Sequence, residues 1–356
     1  MSSTTPSEQG ILDEAYGRLH DSGPERVGGW LTNHAPMTVE ALARHGHADA
    51  VHHWIDVYAP ALDEVPRGLD PVTDDNWREA LGDPKRLGDW PVWFRRHLAE
   101  RAWTDVLAEW WPRLLPGIAA GATHGVIRVG HAVRTLREDG VNDVRLEEFT
   151  QALAYWAARW QPVTGVTAPA GRLDPLAALD GVPRVPDQTG GINTRLDQLN
   201  GVAAWTPALA ALRPAADPDD GHRRLTDVVS AATARYLAFG HGNPTMLVHG
   251  ATAPSAVLRV LPSLPRDQWV TSANIGWAAS AAVFAAYAPT DPADTAELPT
   301  VAEGTDPADV FAAAAAHGDE HVVKLADTAL DVYDWTGDTS ALAAALHARD
   351  LHDPHG

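Results

Sequence analysis

The residues most able to do chemistry in this chain are histidines, and many of them fall in four short strings. These are Asn33-His34-Ala35-Pro36-Met37, Thr123-His124-Gly125-Val126-Ile127-Arg128-Val129-Gly130-His131, Leu247-Val248-His249-Gly250-Ala251-Thr252 (preceded by His241-Gly242-Asn243-Pro244), and His317-Gly318-Asp319-Glu320-His321-Val322-Val323-Lys324. Imidazole is the commonest metal ligand and a ready proton shuttle. His321 and Lys324 are three residues apart and share a face if the segment is helical. An ammonium cannot bind a cation, but a carboxylated lysine offers an anionic oxygen. That pair would then give one nitrogen and one oxygen donor from a single turn. The plainer alternative pairs Lys324 with Glu320 or Asp327 on the helix surface. His124 and His131, seven apart, also share a helical face, with glycines beside them leaving room for a ligand. The alternative is a core histidine bonded to a backbone carbonyl, and His34 and His249 carry the same alternative. The group His45, His47, His52 and His53 points in several directions and reads as half-solvated.

Composition narrows the rest. The chain has 356 residues, 45% apolar, so it can bury a sizeable core. Its formal net charge of −20 argues against nucleic acid or an anionic membrane surface as partner. With no cysteine, disulfides, thiolate zinc sites, iron–sulfur clusters and a cysteine nucleophile are excluded. Residues 1–10 are polar, without the pattern of a signal peptide, and no apolar run reaches membrane-spanning length; the expected location is the cytoplasm. The 14 Trp against 5 Phe and 6 Tyr supply flat faces for a core or an aromatic ligand. There is no dinucleotide fingerprint, phosphate loop, GxSxG or HExxH.

The elements that must position these residues are helical. Helical spacing is read over 38–62 (Thr38 as N-cap, interrupted at Gly46), 89–114 (disturbed by Pro112 and then Pro116), 119–136, 146–160, 223–237, 245–261, 271–287, 310–335 and 340–349. Gly121, Gly125 and Gly130 are expected to allow close approach of a neighbour or ligand. Strand signals are scarce. Two Pro-rich stretches, 161–192 and 289–306, read as loops, the first as a long loop or lid. The expectation is all-α: one large multi-helix domain over 1–356, with long Pro/Gly-rich loops and a flexible start over about 1–10.

The four strings, in this order and at these separations, resemble the questin oxidase family over about 28–327. NHAPM, THGVIRVGH, LVHGAT and DEHVVK carry the resemblance. It implies metal-ligating roles for His34, His124, His249, His321 and a carboxylated Lys324. Fungal relatives are similar to HPxIHLGY over the second string. There Arg128 replaces a second His and His131 replaces a Tyr, so these two are expected as catalytic or pocket residues rather than ligands. His321 and Lys324 are expected to serve catalysis as well as binding. The resemblance further implies a non-haem Fe(II) oxygenase of secondary metabolism. Its substrates would be O2 and an anthraquinone-like or other polycyclic aromatic polyketide, opened oxidatively or by Baeyer–Villiger-type insertion. NADPH is described for the family, but no site for it is readable here. Trp30, Trp54, Trp156 and Trp277 are candidate walls of a flat pocket. Two rival readings stand beside this one. One is a metal-free acid–base enzyme of hydrolase or cyclase type; the other is a non-catalytic protein that binds an aromatic ligand.

Overall fold

Capping residues set where most of the long helices begin. Asp217, Asn243 and Asp306 each precede a proline and accept from a backbone N–H in the first turn, those of Asp220, Met246 and Ala308. Asn142, Asp319 and Asp338 cap in the same way. The computed structural model describes residues 8–29, 31–302 and 304–354. In chain order its longer helices are α1 (Glu8–Leu19), α2 (Ala35–Arg44), α3 (Ala48–Tyr58), then, after the short α4 (Trp77–Ala80), α5 (Trp90–Glu100), α6 (Trp103–Leu114), α7 (His124–Glu138) and α8 (Asp143–Ala158). Three short helices follow, α9 (Pro175–Asp180), α10 (Ile192–Asp197) and α11 (Trp205–Ala211). The chain closes with α12 (Pro218–Phe239), α13 (Pro244–Val260), α14 (Trp269–Tyr287), α15 (Pro307–His317), α16 (Glu320–Thr336) and α17 (Thr339–Leu351). The only strands among the described residues, β1 (Glu25–Arg26) and β2 (Leu31–Thr32), pair antiparallel with Glu25 opposite Thr32. The fold is all-α, built around one hydrophobic core.

The boundaries depart from the sequence reading in instructive places. Thr38 is not an N-cap: α2 starts three residues earlier, after His34, with Pro36 in its first turn, and the Thr38 hydroxyl donates to the His34 carbonyl at 3.2 Å. The expected helix over 310–335 is two, because Gly318 adopts the left-handed conformation (φ 81°) and Asp319 then caps α16. Pro112 lies inside α6 without ending it. The break at Gly46 (φ 80°) is as expected. The 161–192 stretch contains α9 and is fastened to the body: Ala170, Gly171 and Leu173 bond to the 210–212 backbone, and Val185 N–H donates to Ala285 O. Helix occupies residues 8–10 of the expected flexible start; residues 1–7, and Trp30, lie outside the described residues.

At the centre, α13 packs on α7, α12, α14 and α16, while α16 also packs on α2 and α17. The glycines of α7 serve this packing. A Cβ on Gly125 would fall 2.8 Å from the Trp156 ring, and one on Gly130 would fall 2.7 Å from the Ala256 Cβ across the α7–α13 contact. Gly130→Ala should therefore destabilise by about 1–3 kcal/mol through overpacking. Gly17→Ala, on the exposed face of α1 with nothing within 4 Å, should stabilise by about 0.5–1 kcal/mol. Chemical denaturation of the two variants checks both signs.

Candidate metal centre

Each expected ligand is delivered by a helix start or first turns. His34 is the N-cap of α2, His124 the first residue of α7, His249 sits early in α13, and His321 and Lys324 lie in the opening turns of α16. Residues up to 290 positions apart in the chain, His34 and Lys324, thus meet in one buried cluster, with exposures between 1% (His249, Lys324) and 7% (His321). The ring of His34 lies 4.4 Å from that of His124 and 4.8 Å from that of His321, centroid to centroid, and His124 lies 4.5 Å from His249. His124 Nε2 is 3.1 Å from His249 Nε2 and 3.2 Å from Lys324 Nζ. One ligand atom from each of His34, His124 and His321 falls within a 4.8 Å group.

The surroundings aim the rings. The chain enters α7 through three successive left-handed residues, Gly121 (φ 53°), Ala122 (φ 58°) and Thr123 (φ 70°). Two of them are not glycine, a conformation that persists only where its surroundings enforce it. The turn brings the Gly121 carbonyl to 2.6 Å from His124 Nδ1, which must donate, so His124 Nε2 keeps its lone pair and faces the cluster. His34 Nδ1 faces the Tyr58 hydroxyl at 3.2 Å and the Glu320 carboxylate at 3.7 Å. That carboxylate favours the proton on Nδ1, leaving Nε2 for a ligand; His34 Nε2 is buried without a hydrogen-bond partner among the described residues. Tyr155 ties the two approaches together. Its hydroxyl bonds Thr32 Oγ1 at 2.6 Å, two residues before His34, and its ring lies where a Cβ on Gly121 would sit.

Burial, followed by Lys324 for His34 and His124 and by His124 for His249, holds these three imidazoles well below their usual range. They are neutral near pH 7, the form that binds a metal. Burial also lowers His321, with Lys324 next and Asp319 opposing. The Lys324 amine is pushed down to about 7 by burial, against the pull of Glu320 and Asp319. The surface ion pair weighed for Lys324 does not form: Glu320 reaches Arg26 and His34, and Asp327 is taken by Arg134, Arg259 and His45. Nitrogen ligands about 2.1 Å from an ion sit about 3.0–3.4 Å apart, which matches the spacing around His124 Nε2. Neutral imidazoles without thiolates suit iron, zinc or copper. The residues present fit a nitrogen-bound transition metal.

The other candidates sit elsewhere. Arg128 makes a buried two-pronged ion pair with Glu148, at 2.6 and 2.8 Å, and His131 Nδ1 meets Glu40 at 2.6 Å. Neither is brought to the nitrogen cluster. Trp54 stacks on Tyr58 and donates to Gly318 O, Trp156 donates to Gly117 O, and Trp277 to Leu209 O, so all three serve as bonded packing groups. Cavities of about 230 and 350 Å³ lie over Glu40 and Arg134, and beside Asp89, away from the cluster. Tyr58, Glu320 and Tyr155 were missed as site residues. Glu320 stood in the fourth string and Tyr58 at an inward position of α3, but no spacing rule links either to His34. A scan against protein-family models finds no match, and a search of curated proteins finds none.

A lysine and histidines kept below their unfolded pKa values bind fewer protons folded than unfolded, so stability rises with pH between the two values. For Lys324 the window runs from about 7 upward to its usual value of 10.5. The thermal midpoint of the metal-free protein should climb from pH 7 to pH 10, and Lys324→Met should flatten that climb. A variant with an unchanged slope would remove Lys324 from the account.

Proposed function

We propose that this protein is a non-haem, metal-dependent oxygenase. It holds Fe(II) on His34, His124, His249 and His321, with carboxylated Lys324 as the oxygen donor, and acts with O2 on a polycyclic aromatic polyketide. The observation that carries the reading is the convergence of these five side chains, from four helices, into one buried group with nitrogens 3.1–3.2 Å apart around His124. The substrate class rests on the resemblance of the four histidine strings to the questin oxidases.

Charge balance supports the carboxylated lysine. Four neutral imidazoles leave a dication uncompensated, and the starts of α2, α7 and α16 add the positive ends of three helix dipoles. One anionic donor inside the ring of imidazoles is what this field favours. Forming it needs a neutral Nζ to attack the carbon of CO2, making an N–C bond and releasing one proton. His124 Nε2, 3.2 Å away, is placed to accept that proton before it passes to solvent. Bound iron would supply oxygen activation and polarise a substrate oxygen; the reduced aromatic substrate itself supplies the electrons. The protein's part is to exclude water and orient the donors. His321, the most exposed of the five, marks the side of approach, where His352 stacks nearly parallel at 6.0 Å.

One observation favours the acid–base alternative: with both rings neutral, His249 Nε2 can donate to His124 Nε2 in a proton-sharing pair that needs no metal. Anaerobic ferrous loading followed by mass-spectrometric metal analysis separates the two. The oxygenase reading expects about one iron per chain, lost in His321→Ala. Wild-type protein that stays metal-free after loading sinks it and leaves the acid–base reading. A carboxyl carbon on Lys324, sought by NMR after equilibration with 13C-labelled CO2, tests the fifth donor separately.

A further inference from the structure

A second buried polar layer lies on the same four helices that carry the nitrogen cluster. Arg134 of α7 meets Glu40 of α2 through Nε at 2.7 Å, and Asp327 of α16 through two bonds of 3.0 Å. Arg259 of α13 reaches Asp327 at 2.7 Å and Asp331 at 2.8 Å. His131 bonds Glu40 at 2.6 Å and His45 bonds Asp327 at 3.0 Å. Asp327 is wholly buried and sits at the hub, with Glu40 and Arg134 at 3% and 2% exposure. On every one of these helices the ligand precedes the layer residue: His34 before Glu40, His124 before Arg134, His249 before Arg259, Lys324 before Asp327.

We propose that this ionic layer is a register lock for the metal centre, and that Asp327, Arg134 and Arg259 are positioning residues that set metal affinity without touching the metal. The proposal rests on the metal reading above. A helix held at one end by packing can still slide or turn by a fraction of a residue. Paired guanidinium–carboxylate bonds are directional and fix both coordinates at a second point. Four helices pinned to one carboxylate hub cannot shift independently, so their donors keep their spacing. A layer that served stability alone would affect metal binding only in proportion to the stability it removes.

The test compares metal-free wild type with Asp327→Asn, Arg259→Lys and Asp89→Asn. Asp89 is also a buried carboxylate, bonded to Arg86 and to the Leu69 and Asp70 N–H groups, but it belongs to a part of the fold without ligands. Each protein is titrated with Co2+, read by its visible absorption, and the imidazole nitrogens of the metal-free proteins are followed by 1H–15N NMR. The lock predicts roughly tenfold weaker cobalt binding in Asp327→Asn, the lower end of what lost ligand support typically produces. It predicts a smaller loss in Arg259→Lys, moved ring signals for His124 and His249, and affinity within about twofold of wild type in Asp89→Asn at matched loss of thermal midpoint. Should Asp327→Asn fail to fold, Arg259→Lys, which keeps the charge and loses the planar guanidinium whose Nη2 bridges Asp327 and Asp331, carries the comparison. Wild-type affinity and ring signals in both layer variants overturn the lock, as does an equal loss in Asp89→Asn. Wild type that binds no cobalt overturns the metal reading instead; ring signals that still move only in the layer variants then uphold the lock as a device for aligning the imidazoles.

Discussion

The rest of this structure depends on keeping five basic nitrogen groups together, buried and unprotonated. A single buried charge is costly unless paired, and no carboxylate pairs with Lys324 among the described residues. If these groups were protonated together, they would repel one another across 3.1–3.2 Å in a region with little water. The structure meets the constraint by lowering the proton affinity of each group through burial, so that the imidazoles stay neutral and His124 Nε2 keeps its lone pair toward the centre. Neutral nitrogens gathered in this way would give a cation with an anionic donor a natural place. The same burial that makes the cluster awkward without a ligand makes it receptive to one.

Local backbone structure follows from that demand. His124 can present Nε2 only if Nδ1 has an acceptor, and the left-handed run at 121–123 exists to place the Gly121 carbonyl there. Tyr155 holds that run by occupying the space a side chain at 121 would fill, while its hydroxyl reaches the segment leading into His34. Asp319 ends the interruption after α15 and, by capping α16 through the His321 and Val322 N–H groups, fixes the first turn on which His321 stands. Local backbone devices thus serve two of these starts, the left-handed run before His124 and the Asp319 cap before His321, whereas α2 and α7 begin without a side-chain cap. The distant helix ends use ordinary glycines and loops.

The helices were legible in the sequence because their apolar spacing is strong and their caps are conventional. The misplaced boundaries have two causes: a local left-handed glycine at Gly318 splits the last expected long helix, and a tertiary partner outweighs local propensity at the start of α2. Thr38 looks like a cap, but His34 has the role because its backbone N–H and ring both meet Tyr58. The five side chains were legible as types in strings, and the structure brings all five together. Arg128 and His131 were not separable from them by spacing, since a helix carries a neighbour onto the same face every three or four residues. Their partners, Glu148 and Glu40, come from α8 and α2, and only tertiary packing reveals which carboxylate each one meets. Tyr58 and Glu320 were hidden for the same reason: what they do is defined across the chain, not along it.

Dividing polar work between two layers explains why those assignments were hard and why the arrangement holds. Along α7, His124 precedes Arg134, and along α16, His321 and Lys324 precede Asp327, so the two groups differ in depth along each helix. The layer near the helix starts keeps uncharged nitrogens. The deeper one keeps full charges matched sign to sign, with Asp327 accepting from Arg134 and His45 and ion-paired with Arg259. Carboxylates of the deeper layer placed among the imidazoles would raise the imidazoles' proton affinity and favour their charged form, in which Nε2 has no free lone pair. A neutral deeper layer would leave four helices free to slip against a core made largely of alanine, valine and leucine. Such a core supplies cohesion but little directional information. Directional bonds in one layer and unprotonated nitrogens in the other are two halves of one requirement, and an offset along each helix, from under one turn between Lys324 and Asp327 to nearly three between His124 and Arg134, lets a single set of helices satisfy both.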